Sequence, residues 1–90
     1  MAVNDKVNIT IQYYKSAFKH GVTEKYIIKA VINVAYDDIL DEFDNKYLLI
    51  GFDGNGNLLE IVYNVIDVDT IRVFHAMKCR DSFIALLKMK

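Results

Sequence analysis

His75, Glu60 and a group of basic residues are the side chains in this sequence best suited to chemistry. A histidine beside a carboxylate can move a proton near neutral pH, and a basic strand end can steady negative charge as it develops. If Leu58–Ile66 and Ile71–Lys78 pair symmetrically about Val68–Asp69, Ile66 faces Ile71, Asn64 faces Val73, Val62 faces His75 and Glu60 faces Met77. One sheet face then carries Glu60, Asn64 and His75. The other carries Leu59, Ile61, Tyr63, Val65, Phe74 and Ala76 as the core, with Arg72 and Lys78 at its ends. Residue types alone favour a half-buried structural histidine bonded to Glu60 or to the backbone.

Other candidate groups point to no cofactor. Asp53, Asn55 and Asn57 imitate the first ligands of a calcium loop, but Leu58 stands where that loop needs glycine and Asn64 where it needs glutamate. Gly51, Gly54 and Gly56 lie between two strand-like runs, so they offer no helix-end amides to a pyrophosphate. The acidic stretch Asp37, Asp38, Asp41, Glu42 and Asp44 has no histidine beside it and reads as a solvated helix end and loop, with no metal expected. The lone Cys79 cannot form an intramolecular disulfide; it lies between Lys78 and Arg80 without an adjacent base and reads as structural.

The elements that must position these residues follow from periodicity. Val7, Ile9 and Ile11 alternate like a brief strand, and Ile11, Tyr14 and Phe18 recur at helical spacing, predicting a helix over residues 12–20 that Gly21 stops. Thr23 and Glu24 suit the start of a second helix over residues 24–35, although its β-branched residues leave a strand open there. Lys46–Phe52, Leu58–Ile66 and Ile71–Lys78 read as a three-stranded antiparallel meander, its first turn at Asp53-Gly54-Asn55-Gly56-Asn57. A last helix begins at Asp81 or Ser82 and carries Phe83, Leu86 and Leu87. The expected architecture is therefore α+β: N-terminal helices, a meander and a C-terminal helix, with the helices covering the sheet's apolar side.

Ninety residues without a proline or a linker predict one domain over residues 1–90. No apolar run approaches the length of a membrane span, and the N-terminus has no signal-peptide pattern, which together predict a cytoplasmic protein. Hydrophobic residues make up 53% of the chain, leaving apolar surface for a partner protein or a second copy. The net charge of −1 is low for a phosphate binder. Lys78, Arg80, Lys88 and Lys90 nevertheless gather near the C-terminus as a local basic patch.

Four stretches, in order, resemble the BrnT family of small toxins from bacterial type II toxin–antitoxin systems: Lys19-His20-Gly21-Val22, Tyr47-Leu48-Leu49-Ile50-Gly51, Leu58-Leu59-Glu60-Ile61-Val62-Tyr63 and Ile71-Arg72-Val73-Phe74-His75-Ala76-Met77-Lys78. The likeness spans roughly residues 12–87 and lies in short motifs: a "KHG-V" helix end, an "R-x-x-IG" strand, an "L-x-V-V" strand and an "IRIISAR" strand. It implies a RelE-like domain that cleaves RNA without a metal or other cofactor and is covered by a cognate antitoxin protein. On that implication His75, Arg72 and Lys78 form the catalytic set and Lys19, His20 and Arg80 contact RNA. The chain departs from the family at His75-Ala76-Met77, where the pattern has Ser-Ala-Arg. Without the resemblance, Lys19 and His20 read as favourable charge at a helix end and Arg72 as a partner of Asp67 or Asp69.

Overall fold

The computed structural model describes residues 9–89, so Val7 and Lys90 lie outside the described residues. Five strands form one sheet: β1 (Thr10–Tyr13), β2 (Val34–Asp41), β3 (Lys46–Phe52), β4 (Leu58–Asp67) and β5 (Thr70–Lys78), in the order β1-β5-β4-β3-β2. Helix α1 spans Glu24–Ile32, and a single turn, α2 (Asp81–Ile84), follows β5 and runs into a 3-10 segment, Ala85–Met89. The chain is thus a mixed α/β domain dominated by its sheet, which overturns the expected arrangement of N-terminal helices and a three-stranded meander.

Each correction has a local cause. The predicted helix over residues 12–20 is replaced by β1 and one 3-10 turn, Lys15–Phe18. Ile11 and Tyr13 pack against the core with strand spacing, while Tyr14 and Phe18, the other members of the helical pattern, stay exposed. The ladder continues past β1, since the Tyr14 N–H donates to the Val73 carbonyl at 2.9 Å. Helix α1 stops at Ile32 because Asn33 leaves helical geometry and caps it, both its N–H and its side-chain amide donating to the Lys29 carbonyl. β-Branched Val34 then starts β2, and the acidic stretch expected as a helix end and loop supplies most of this edge strand. β2 to β5 form a four-stranded antiparallel meander, and β1 joins β5 in parallel.

The predicted hairpin between β3 and β4 is present. The Asp53 carboxylate accepts the N–H groups of Asn55 and Asn57 and the Asn57 amide, tying the turn together. Between β4 and β5 the expected register holds for Val62–His75 and Glu60–Met77. An irregularity between Val62 and Tyr63 then shifts it, so that Tyr63 faces Val73, Asn64 faces Arg72 and Val65 faces Ile71, and a second, between Val65 and Asp67, brings Asp67 opposite Thr70. Phe74 is the extra residue at the first of these, and the Ser16 hydroxyl donates to its carbonyl at 2.7 Å.

Both sheet faces are covered, not the one expected. On one, Ile27, Ala30 and Val31 of α1 pack with Leu49, Leu59, Ile61, Tyr63, Val73 and Ala76. On the other, Leu48, Ile50, Val62 and Cys79 pack with Phe74 and with Phe83, Ile84, Leu86 and Leu87 of the C-terminal segment. Each large side chain so buried contributes about 1.5–3 kcal/mol. The bulge moves Phe74 from its expected face to the second one, next to His75. Cys79 is buried there, and burial raises its thiol pKa, as suits a structural residue.

The edge strand β2 is anchored by Tyr63, whose buried hydroxyl donates to Asp37 at 2.6 Å. Burial, and then the bond to Asp37, raise the Tyr63 pKa and keep the phenol protonated as a donor. Tyr63→Phe is expected to lower stability by about 1 kcal/mol in urea denaturation. An unchanged midpoint would show that the bond contributes nothing. Among the described residues no helix is long and apolar enough to cross a membrane.

Candidate functional site

Among the described residues Glu60 is the one carboxylate in the middle of the sheet. The β4 alternation that buries Leu59 and Ile61 under α1 turns Glu60 to the opposite face, beside Val62, where it is 0% exposed. A bare carboxylate there would be costly. Four donors surround it instead. Oε1 accepts the Arg80 N–H and the Arg80 Nε–H, each at 3.0 Å, and Oε2 accepts Arg80 Nη2 and His75 Nε2, each at 2.8 Å. Arg80 can reach back because the chain turns over this face after β5, and its side chain also stacks on Phe83 at 4.9 Å.

Burial is the largest influence on Glu60 and raises its pKa. The Arg80 side-chain and backbone bonds, the bond from His75 and the Arg80 charge together outweigh it and hold the group below its ordinary value of 4.5. The carboxylate is therefore ionised at neutral pH and can only accept hydrogen bonds, so the proton of a neutral His75 ring lies on Nε2. That leaves the Nδ1 lone pair available as a base, oriented by the buried acid.

A second imidazole stands close by. His20 follows the 3-10 turn, and its ring centre lies 5.5 Å from that of His75 at an edge-on angle of 78°. Together with Leu40, Lys46, Val62, Phe74 and Phe83, the Glu60–His75–Arg80 group lines a cleft of about 300 Å³.

The expected site residues divide accordingly. His75, His20 and Arg80 come together. Arg72 lies on the same face but is bound to Gln12 Oε1 through Nε and Nη2 and to the Tyr14 hydroxyl through Nη1. It reaches the His75 neighbourhood only through the Tyr14–Phe74 ring contact at 6.5 Å, and among the described residues it makes no ion pair with Asp67 or Asp69. Lys78 pairs with Leu59, whose side chain faces α1, so it belongs to the side of the sheet opposite His75. Lys19 is exposed at the end of the 3-10 turn, next to His20. Asn64, expected beside His75, instead donates to the Asn45 carbonyl and braces the turn between β2 and β3.

Sequence reasoning gave Lys46 no place in the site, read Phe83 as an apolar residue of the last helix, and put Phe74 on the wrong face. No single-residue signal marks a bulge, and Phe83 reaches the cleft only through the turn after β5. A second cavity, of about 320 Å³, lies on the α1 side and is lined mainly by Ile9, Ile11, Ile28, Val31 and Ile32 around Tyr13 and Glu24. Burial and the nearby Glu24 charge push the Tyr13 phenol up to about 12, so it titrates too high to act as a base. Among the described residues no group of three or more His, Cys, Asp or Glu is arranged to hold a metal ion.

Comparison with models of known protein families, with curated proteins and with solved structures finds no match to this chain. The functional reading therefore rests on the Glu60–His75–Arg80 geometry, with His20 beside it, and on the resemblance of the four sequence stretches.

Proposed function

We propose that this chain is the toxin of a bacterial toxin–antitoxin pair and acts as a metal-independent endoribonuclease. The observation that carries the reading is the His75 imidazole, oriented by buried Glu60 and set 5.5 Å from a second imidazole, His20. RNA cleavage without a metal needs a base, an acid and a cation; His75 and Arg80 line the cleft, and His20 stands beside it against the His75 ring. His75 Nδ1 takes the proton of a 2′-hydroxyl, the 2′-oxygen bonds to the adjacent phosphorus, and the 5′-oxygen leaves with a proton from protonated His20. The products are a 2′,3′-cyclic phosphate and a free 5′-hydroxyl. Arg80 spends Nε and Nη2 on Glu60, and Nη1 is the group it can offer to the phosphate oxygens. In this role Arg80 supplies the cation that the resemblance expects at position 77. Arg72 and Lys19 flank the site as phosphate contacts, and Lys78 is left out of the catalytic set.

A non-catalytic interaction module of the same fold is the second reading. It is favoured by Ile39, Leu40 and Phe43, which stand exposed on and beside the edge strand β2. In the toxin reading the same surface is available to the antitoxin. Expression of wild type, His75→Ala and His20→Ala from a tight promoter, at matched soluble yield, separates the two. Growth arrest with RNA loss is expected for wild type. Cleavage by each variant is expected to fall by about a hundredfold or more. Intact RNA and normal growth with folded wild-type protein present would replace the ribonuclease by the interaction module.

A further inference from the structure

The cleft beside the two histidines has a composition that proton transfer alone does not require. Val62, Phe74 and Phe83 line it, with the Arg80 guanidinium stacked on the Phe83 ring. The Lys46 ammonium lies over Phe74 at 5.9 Å and, among the described residues, is held otherwise by a loose, exposed pair with Asp44 at 3.8 Å. An apolar slot with aromatic walls and cations at its rim matches a nucleotide: a flat base inside and a phosphate at the edge. A volume of about 300 Å³ is at the small end of ligand sites, enough for one such unit.

Charge also fixes how a strand would lie. Asp38 pairs with Leu48 and Asp41 with Lys46, which puts both acids at the β2 rim on the same sheet face as the cleft. Lys46 lies on that rim but is outnumbered there by Asp38, Asp41 and Asp44, so phosphates are drawn to the opposite rim, where Arg80 and His75 stand. On the ribonuclease reading, which this step rests on, we infer that the cleft is a base-stacking subsite for single-stranded RNA, holding one unpaired base between Phe74 and the Arg80–Phe83 pair. Paired RNA is excluded, because its bases are stacked and hydrogen-bonded within the duplex and cannot enter.

The probe is a short fluorescein-labelled oligouridylate with 2′-O-methyl sugars, which removes the attacking hydroxyl and separates binding from cleavage. Its anisotropy is followed with wild type, Phe83→Leu and Phe83→Tyr, alone and annealed to its complement, over a range of salt. Wild type is expected to prefer the single strand. Phe83→Leu, which keeps apolar bulk and so protects folding, should weaken binding about tenfold with the salt slope unchanged, and Phe83→Tyr should restore it. Equal affinity for the annealed probe, or wild-type affinity in Phe83→Leu, would overturn the subsite even if wild type cleaves RNA. A wild type that neither binds the probe nor cleaves RNA would remove the subsite and the ribonuclease reading together.

Discussion

Gly51→Ala is expected to cost roughly 4 kcal/mol, a large part of the total stability of a domain this size. Gly51 lies in β3 directly beneath α1, and a β-carbon built there would come 2.0 Å from the Ala30 carbonyl oxygen, 2.7 Å from its carbon and 3.0 Å from its Cα. All three are backbone atoms of a helix whose Ile27, Ala30 and Val31 are buried in the core, so no side-chain rotation relieves the clash. Restoring ordinary contact needs α1 to retreat by about 1.5 Å, opening gaps along its whole buried face. Urea denaturation followed by tyrosine fluorescence measures the loss. In a thermal melt, a loss of this size corresponds to a fall of roughly 15–30 °C. Ala30→Gly should not rescue the variant, because the offending atoms are main-chain. A loss below about 1 kcal/mol would mean that the helix and sheet are not packed this closely.

The second large effect concerns the buried carboxylate. Arg80→Met removes the side chain that offsets the burial of Glu60, leaving among the described residues only His75 and the backbone N–H of residue 80 as partners, and breaking a buried pair in this way costs about 3 kcal/mol or more, whether the carboxylate stays charged or takes up a proton. Glu60→Met should cost less, since Arg80 is half exposed and can turn to water. The double variant Glu60→Met with Arg80→Met should be more stable than Arg80→Met alone, because a buried pair replaced by apolar groups loses the desolvation cost along with the attraction. Additive losses would show that the two residues do not form a unit.

The same network sets a pH dependence. Glu60 is held below its ordinary value of 4.5, so the folded state binds fewer protons there than the unfolded chain. Its contribution is fully present above that value and is lost as pH falls through the lower folded-state value. The stability gap between wild type and Glu60→Gln should therefore be constant near neutrality and narrow in acid. A gap that widens in acid would contradict the assigned direction.

The resemblance had proposed Arg72, His75 and Lys78 as a catalytic row on one strand. In the folded chain the bulge at Phe74 and strand alternation break that row. His75 stays with Glu60, Arg72 is bound to Gln12 and Tyr14, and Lys78 goes to the other face. Arg80, expected as a peripheral RNA contact, becomes the main partner of Glu60. These changes follow from contacts between residues far apart in the chain.

The sequence by itself determined what depends on near neighbours. The β3–β4 hairpin was legible because Asp53, Gly54 and Gly56 have turn chemistry that few other structures can use, and Glu60 and His75 fell on one face because alternation is local to a hairpin. Only the tertiary structure decided the rest. Ile11, Tyr14 and Phe18 fit a helix period by coincidence, and it is β5 that recruits the segment as a parallel strand. Asp37, Asp38 and Asp41 read as part of a helix end and loop, and it is β3 that offers them an edge as strand β2. The place of Arg80 depends on the turn after β5 and on a carboxylate twenty residues away. A local pattern cannot express an energy that arises only when distant segments meet, and in this protein the fold's edges and the site's cation both depend on such meetings.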